Sequence, residues 1–485
     1  MQPRAPRPLA TCRTASHPAA TDASPTTNYP TRETIMRTFI RSFHGALPAG
    51  IAAAALLTPV LPTLAQSEIV PAVAQSRPIA IVHAVVHTAT EGTPVIEDGH
   101  VVFEGGRIVS VGAGMPELPE GCEIVDAQGM HLSPGFCAFP TTLGLVETLQ
   151  VEATDDTSEY GTMKPEATPA IAVNPDSDLL TVARAAGILL AVAAPVGGTI
   201  SGAASAIRLD GWTTEDLTID PSTGLVVTWP VVEPAPAVGS RRSPEEQKRR
   251  AQEEIARIGR FLDEMQAILA ARAADPSAPH DMRAEAMRDV LSGKDPVYVE
   301  VGSASQIESA VAWLKARGLR AVIVGGDGIE SAIPFLKAEG VSVIVRGVHR
   351  IPGPRHAATA DAYELPAKLA AAGILFSIAT GDEPAHERNL PHHAATAAAF
   401  GLDAEAALRS VTANPCRIAG IASRYGTLEP LKSATLMLTR GHPLEITSGV
   451  AAAWIDGRSI DLASHQSGMR RKYDEKIRRT QEASR

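Results

Sequence analysis

Between residues 296 and 379, apolar β-branched runs alternate with helical patterns, and this alternation restricts the fold more than any other feature of the chain. Each helical pattern ends just before a glycine, and another β-branched run follows. Strands that alternate with helices in this way pair into a parallel sheet with the helices packed outside it. The predicted strands are Val297–Val301, Ala321–Val324, Val341–Val345 and Ile374–Ala379, and the predicted helices are Ser305–Ala316, Gly328–Ala338 and Pro366–Ala372.

A different pattern precedes this region. Short runs of alternating apolar and polar residues are separated by turns, such as Gly105–Gly106. This spacing is typical of a small all-β unit. Its predicted strands are Ile79–Val86, His100–Glu104, Arg107–Val111, Cys122–Asp126 and His131–Leu132.

The most specific motif runs from Pro134 to Gly144 and reads Pro-Gly-Phe-Cys-Ala-Phe-Pro-Thr-Thr-Leu-Gly. It resembles the first barrel strand of the amidohydrolase superfamily, in its imidazolonepropionase-like branch. That branch reads Pro-Gly-Leu-Ile-Asp-Ala-His-X-His-Leu-Gly, and its two histidines bind the catalytic metal. Here Pro140 and Thr142 stand in the two histidine places. The frame of the motif matches, and both ligands are replaced.

Two further segments resemble this family near the C-terminus. Residues Tyr425–Leu436 are similar to Gly-Ser-Leu-Glu-Pro-Gly-Lys-Asp-Ala-Asp-Leu, and Val450–Arg458 is similar to the closing strand and turn. In the family, such segments complete a β-sandwich that begins near the N-terminus. The resemblance therefore implies an α/β protein with a TIM-type (β/α)8 barrel over residues 134–421 and a composite β-sandwich from residues 78–133 and 422–465. The polar composition of residues 466–485 predicts a frayed tail.

The resemblance also implies two further metal-ligand positions. Glu300 falls where the branch has a histidine, and Asp382 matches the aspartate that ends the last barrel strand and acts as general base. Two carboxylates without nitrogen ligands make a poor Zn²⁺ site but are compatible with a weak Mg²⁺ or Ca²⁺ site. Asp382 could instead cap the helix that follows it. The sequence therefore allows a divalent metal, Zn²⁺ or Mg²⁺, at these positions.

Other candidate ligands lie near the expected barrel mouth. His349 and His356 follow a predicted strand, and either could add an imidazole. The adjacent His392 and His393 cannot both face one metal from a helix, because such ligands need i, i+3 or i+4 spacing. Glu147 and Asp155–Asp156 follow the first strand and could line the mouth or simply be solvated.

A helix with an apolar face is predicted after Ser243. Ser243–Glu246 forms a capping box with proline at the first helical position. Ile258, Phe261 and Met265 lie on one face of this helix. We expect that face to pack on the barrel or on a second chain.

Residues 1–65 are predicted to be a leader and signal peptide, with the true start at Met36. Basic residues follow Met36, and the apolar stretch Ala46–Leu64 is interrupted by prolines and followed by Ala65. These features favour a cleaved export signal over a membrane anchor, which is the alternative. The protein is therefore predicted to be exported to the periplasm without a stable anchor.

Charge and cysteine content exclude some classes of function. The formal net charge of −10 does not favour nucleic acid as a partner. Cys12 is expected to leave with the leader, and the remaining Cys122, Cys137 and Cys416 stand singly, which is not the spacing of a zinc site or a disulfide framework.

The resemblance implies a hydrolase-type protein that acts on non-peptide carbon–nitrogen bonds of a small molecule, with an incomplete metal site. The alternative is a catalytically inactive homologue that serves as a periplasmic binding or partner subunit. In either case the chain could form an oligomer with itself or with a related chain.

Overall fold

The computed structural model describes residues 69–233, 243–351, 358–381 and 383–483. The predicted leader and signal peptide, with Met36, lies outside the described residues, as do His356 and Asp382. Within these ranges, no helix is long and apolar enough to cross a membrane.

Sixteen strands are described. They are β1 (Ile79–Val86), β2 (Ile96–Glu104), β3 (Arg107–Ala113), β4 (Glu123–Asp126), β5 (His131–Pro134), β6 (Phe136–Thr141), β7 (Ile188–Ala193), β8 (Ile200–Arg208), β9 (Thr218–Thr228), β10 (Pro296–Glu300), β11 (Arg320–Gly325), β12 (Ser342–Arg346), β13 (Phe376–Ala379), β14 (Leu436–Thr439), β15 (Val450–Ile455) and β16 (Arg458–Ser459).

The α-helices described lie mostly between residues 244 and 418. They are α1 (Asp178–Ala185), α2 (Thr214–Leu217), α3 (Pro244–Ala274), α4 (Met282–Ala286), α5 (Arg288–Leu291), α6 (Ala304–Ala316), α7 (Ile329–Glu339), α8 (Asp361–Ala372), α9 (Leu390–Ala399), α10 (Ala404–Ser410), α11 (Ala413–Ile418) and α12 (His465–Ala483). Short 3₁₀ turns occur at Glu152–Thr154, Pro169–Ile171 and Pro384–Asn389.

The first sheet combines strands from both sides of the barrel region. Its order is β16-β15-β14-β5-β1-β2-β3, with β4 also paired to β1. Strand β5 joins the two groups, because it is parallel to β1 and antiparallel to β14. The rings of Phe103 and Trp454, from the two groups, lie 5.9 Å apart within its core. The predicted composite β unit is therefore confirmed.

The second sheet has the order β13-β12-β11-β10-β9-β8-β7-β6, and β13 lies beside β6, so the sheet is a nearly closed barrel. The predicted α/β barrel is confirmed. Inside it, alternate side chains such as Phe139, Leu190, Val226 and Ile344 form one core. Outside it, the same strands pack against the helices through a larger core.

One barrel strand does not follow the parallel pattern. Strand β8 runs antiparallel to both β7 and β9. Only residues 194–199 connect β7 to β8, whereas a parallel crossover needs about a dozen residues or more. Gly197 and Gly198, both with φ +81°, make this tight turn.

Helix α3 packs on the barrel. Its predicted cap is present, because the Glu246 backbone N–H donates to Ser243 Oγ at 3.2 Å. Ile258, Phe261 and Met265 are buried in the core between barrel and helices. Of the two expected partners for its apolar face, the barrel is the one observed.

The polar tail, which was expected to be frayed, forms helix α12 over residues 465–483. Its sequence has few apolar residues, but charged side chains pair along its surface. Arg478 contacts Glu475 and Glu482, and Arg479 contacts Glu475. Such i, i+3 and i, i+4 pairs stabilise a solvated helix.

Candidate functional site

Residues from several barrel strands meet at the carboxyl-terminal mouth of the barrel. Pro140 lies near the end of β6, Thr142 follows it, and Glu300 ends β10. All three line one cavity of about 60 Å³. Gly381 also lines this cavity, and the next residue, Asp382, is outside the described residues.

Glu300 is held by a cation and a hydroxyl. Arg346, the last residue of β12, places Nη1 2.9 Å from Glu300 Oε1. Thr228 Oγ1, at the end of β9, donates to Glu300 Oε2 at 3.1 Å. Both carboxylate oxygens therefore already have partners within the protein.

The floor of the mouth is apolar. The rings of Phe139 and Tyr298 pack edge to face with centroids 5.0 Å apart. The Tyr298 hydroxyl donates to the Thr223 carbonyl at 2.7 Å, and burial raises the pKa of this phenol. A phenol held in this way acts as a packing group and is not poised to exchange protons.

The donor set at the mouth does not fit a zinc ion. Among the described residues, the cavity lining contains no imidazole, and its carboxylate, Glu300, is paired with Arg346. Zinc prefers nitrogen and sulfur ligands, and a divalent ion would have to displace the guanidinium. The protein residues described at this end do not build the metal centre that the resemblance implies.

His349 and His393 pack a loop against helix α9 instead of facing the mouth cavity. His349 Nε2 lies 2.7 Å from Thr396 Oγ1, and the rings of His349 and His393 have centroids 4.0 Å apart. His393 Nδ1 accepts the backbone N–H of Val348 at 3.2 Å. His349 is therefore engaged at the helix surface, and His356 lies outside the described residues.

The acidic residues after the first strand have separate roles. Asp155 Oδ1 accepts the backbone N–H of Thr157 at 3.0 Å and shapes a turn. Asp156 lines a second cavity beside the mouth. Neither carboxylate lines the mouth cavity.

A second candidate site lies at the joint between the β sheet and the barrel. His87 Nδ1 is 2.7 Å from Glu405 Oε1, and His442 Nε2 is 3.9 Å from the same oxygen. These three residues form a group that could hold a metal ion. His87 Nε2 also lies 2.8 Å from His131 Nδ1, which adds a third imidazole behind the group.

The Glu405 carboxylate and the surrounding imidazoles interact electrostatically. Burial would raise the pKa of Glu405, but the neighbouring His442 and His87 imidazoles outweigh it and lower the pKa to about 2. Burial, helped by His87 and His442, lowers the pKa of His131. The arrangement favours an ionised carboxylate surrounded by hydrogen-bonded imidazoles.

The group lies at the end of the barrel opposite to the mouth. Cys137, near the start of β6, donates its backbone N–H to the Val411 carbonyl just after α10. Asn414 Nδ2 donates to the carbonyl of Phe376, the first residue of β13. Helix α10, which carries Glu405, therefore lies at the amino-terminal ends of the strands. Residues at this end of such barrels generally serve stability.

Sequence reasoning missed this group because its members are far apart in the chain. His87 follows β1, His131 begins β5 and His442 follows β14, while Glu405 is on a barrel helix. Their positions show no ligand spacing. The available signal was that His87 and His131 stand at the ends of two predicted strands of the composite sheet.

The chain was compared with known proteins. No protein-family model and no curated protein matches it. Its structure is similar to that of an amidohydrolase from Thermotoga maritima, with 22% identity, 79% of this chain and 99% of that chain covered, and a TM-score of 0.67.

Weaker likenesses extend to a prolidase complexed with N-methylphosphonate-L-proline (15% identity, 79% and 99% coverage, TM-score 0.49). They also include an adenosine deaminase from Xanthomonas campestris with bound zinc (18%, 82% and 98%, TM-score 0.44). The TM-scores of these two structures are too low to support an inference about this chain. The likeness to the Thermotoga protein shows that the chain shares the fold of that protein.

Proposed function

We propose that this chain is an amidohydrolase-fold protein of the imidazolonepropionase-like branch. It binds a small molecule, and it does not use a metal centre in the barrel mouth to hydrolyse that molecule. The observation that carries the proposal is the 2.9 Å ion pair between Glu300 and Arg346. The branch assignment rests on the frame formed by Pro134–Gly135 and Leu143–Gly144.

The ion pair supports this function because a guanidinium stands where the branch would use a metal. Its positive charge satisfies the carboxylate and opposes a second cation at the same place. The mouth cavity is also small. Its volume of about 60 Å³ has room for about two water molecules, whereas pockets for small-molecule ligands usually have about 300–1,000 Å³.

A hydrolase acting on non-peptide carbon–nitrogen bonds is the second candidate. It is favoured by the likeness to the Thermotoga maritima protein, which is named an amidohydrolase. The position of Asp382, at the place of the family's general base, is compatible with it.

Metal analysis with two variants distinguishes the candidates. Purified protein is loaded with Zn²⁺ and Mn²⁺, washed, and assayed on cyclic amides and N-acyl amino acids. We expect no turnover, and we expect bound zinc to survive Asp382→Asn and to be lost in His87→Ala. Turnover that disappears together with metal in Asp382→Asn would establish the hydrolase and refute our proposal.

Zinc is the divalent metal that the described residues support, and its place is the His87–Glu405–His442 group. Imidazole nitrogens suit Zn²⁺, whereas Mg²⁺ prefers oxygen ligands. There the metal would hold the β sheet to barrel helix α10 and would be structural. The backbone N–H of Leu444 donates to His442 Nδ1 at 3.2 Å, which leaves Nε2 to face Glu405.

Export to the periplasm is part of the proposal and rests on the signal-like stretch that begins at Met36. N-terminal sequencing of the protein from fractionated cells tests it. We expect a mature chain that begins after Ala65, in the periplasmic fraction. A chain that keeps residues 36–65 in the membrane fraction would indicate an anchor.

We also propose that the chain pairs with itself or with a related chain, as expected for a partner subunit. Light scattering after size-exclusion chromatography tests self-association. Co-purification with a related chain expressed from the same cells tests the hetero-oligomer. A strict monomer in both experiments would contradict this part.

A further inference from the structure

A second cavity, of about 320 Å³, lies beside the barrel mouth and shares Pro195 with the mouth cavity. Its wall is the loop that follows β6, and backbone hydrogen bonds hold this loop in place. Asp156 N–H donates to the Leu145 carbonyl at 2.7 Å, and Val196 N–H donates to the Thr157 carbonyl at 2.8 Å. The volume is that of a pocket for a small ligand.

Lys164 lines this cavity and is only 3% exposed. Its backbone N–H donates to the Ile200 carbonyl at 3.0 Å, which fixes its position. Its Nζ donates to the Glu159 carbonyl at 2.8 Å. Within the described part of the chain, no carboxylate forms an ion pair with Nζ.

A lysine whose ammonium contacts no carboxylate directly needs a reason to be buried. Lysines usually extend their ammonium into water while the aliphatic stem packs. Here the ammonium is withdrawn from solvent and has one carbonyl partner for its three donors. Burial lowers the pKa of Lys164, although the charges of Glu159 and Glu166 partly oppose this. An unpaired buried charge is costly unless an anion completes the site.

The outer part of the cavity has the opposite chemistry. Its rim contains carboxylates and large apolar side chains that are exposed to solvent. These are Asp156, Glu159 and Glu166, and Tyr160, Ile171 and Met282. The cation is therefore deep in the cavity, and the anions and apolar groups are at its edge.

We propose that this cavity binds an α-amino acid with an apolar side chain. Its carboxylate contacts Lys164, its ammonium faces the acidic rim, and its side chain packs on Tyr160, Ile171 and Met282. A simple anion would be repelled by the rim, and a simple cation would be repelled by Lys164. The inference rests on the proposed function, because it names the small molecule that the chain binds.

The experiment compares three ligands by isothermal titration calorimetry and thermal shift. L-Leucine has both charges, 4-methylpentanoate lacks the ammonium, and 3-methylbutylamine lacks the carboxylate. We expect saturable binding and stabilisation by L-leucine, weaker binding of 4-methylpentanoate, and no binding of 3-methylbutylamine. Equal binding of either analogue, or no binding of L-leucine, would overturn the proposal.

Variants locate the site. Lys164→Met should weaken L-leucine binding by about tenfold to a hundredfold, because a charge-assisted hydrogen bond is lost. Lys164→Arg should retain most of the affinity. The exposed Lys337, on helix α7, provides the control, and Lys337→Met should bind as the unmodified protein does. Unchanged binding of L-leucine in Lys164→Met would show that Lys164 does not bind the carboxylate of the ligand.

A rim variant keeps the test decisive if Lys164→Met does not fold. Tyr160 is fully exposed, so Tyr160→Ala leaves the core intact. It should weaken L-leucine binding several-fold, whereas Tyr473→Ala, which removes an exposed ring from helix α12, should not. Equal affinities in these two variants would count against the cavity.

The two proposals fail separately. Metal-dependent turnover with leucine binding at Lys164 would refute the proposed absence of hydrolysis and leave the amino acid site standing. An inactive protein that does not bind L-leucine would refute the amino acid site and leave the proposed absence of hydrolysis standing.

Discussion

Arg346 Nη1 lies 2.9 Å from Glu300 Oε1 across the mouth of the barrel, although the two residues end strands that are not neighbours. Strand β11 separates β10 from β12. The long arginine side chain spans this gap and provides the positive charge beside Glu300. A metal site at the mouth can therefore be restored only if Arg346, which is not at one of the family's ligand positions, is replaced as well.

We predict that restoring the family's histidines is insufficient while Arg346 remains. Pro140→His, Thr142→His and Glu300→His together should give little gain in Zn²⁺ affinity, because a guanidinium still occupies the mouth. Adding Arg346→Ala should strengthen Zn²⁺ binding by about tenfold or more, because the repulsion between cations is removed. Competition with a chromogenic chelator measures both affinities, with His87→Ala present in every variant to remove the other proposed zinc site.

Arg417 provides the control for this experiment. It forms an exposed pair with Glu91, 3.5 Å apart, and does not line the mouth cavity. Arg417→Ala in the triple variant should not change Zn²⁺ affinity. If the triple variant already binds zinc as well as the quadruple variant, Arg346 is not the obstacle.

We predict that Asp210 is the carboxylate on which the joint between barrel and sheet most depends. Its side chain is 1% exposed and lies 2.7 Å from Arg184 Nη1 and 3.0 Å from Arg458 Nη1. Asp210→Asn removes the carboxylate that contacts both guanidinium groups and should lower the free energy of unfolding by about 3–5 kcal/mol. Urea denaturation measures the loss.

The matched control is Asp263→Asn. Asp263 pairs with Arg317 at 2.6 Å, but this pair lies at the surface of helix α3. Solvent screens it, so the urea midpoint should hardly move. Equal losses in the two variants would contradict the argument from burial.

We predict that Glu405 makes the stability of the metal-free protein depend on pH in acid. Its pKa is about 2 in the folded protein against an ordinary value of 4.5. The lowered pKa means that its contribution is fully present above about pH 4.5 and is lost as the pH falls toward 2. A shift of this size corresponds to roughly 3 kcal/mol.

Glu405→Gln removes this dependence. The free energy of unfolding of the variant should be lower at pH 7 and should fall less steeply below pH 4.5. Chemical denaturation at a series of pH values gives both slopes. Parallel slopes would show that the imidazoles around Glu405 do not stabilise its charge.

We predict that Cys137 and Cys416 do not react with a thiol reagent in the folded protein. Both are 0% exposed, and contact with Cys416 together with burial raises the pKa of Cys137. Cys122 is partly exposed and should react, although burial raises its pKa as well. Peptide mass spectrometry after labelling, with and without denaturant, identifies each thiol. Labelling of Cys137 before unfolding would contradict the packing.

The sequence by itself determined the fold. The strands predicted between Val297 and Ala379 lie within one residue or two of those observed, because buried parallel strands are apolar along their whole length and glycines end the helices between them. Helix α8 was less accurate: it begins at Asp361, before the predicted start at Pro366. Strand β8 was also not predicted as antiparallel, since periodicity does not encode strand direction.

The sequence also located Pro140, Thr142 and Glu300, and the structure places them around one cavity. Only the tertiary structure decided what surrounds them. The pairing of Arg346 with Glu300, the meeting of His87 with Glu405, and the burial of Lys164 all join segments that carry no mutual signal in the chain. Charge contacts act through space over a few ångströms, whereas sequence patterns report only which residues share a local face. The partners of a charged side chain are therefore fixed only when the barrel closes and the sheet packs against it.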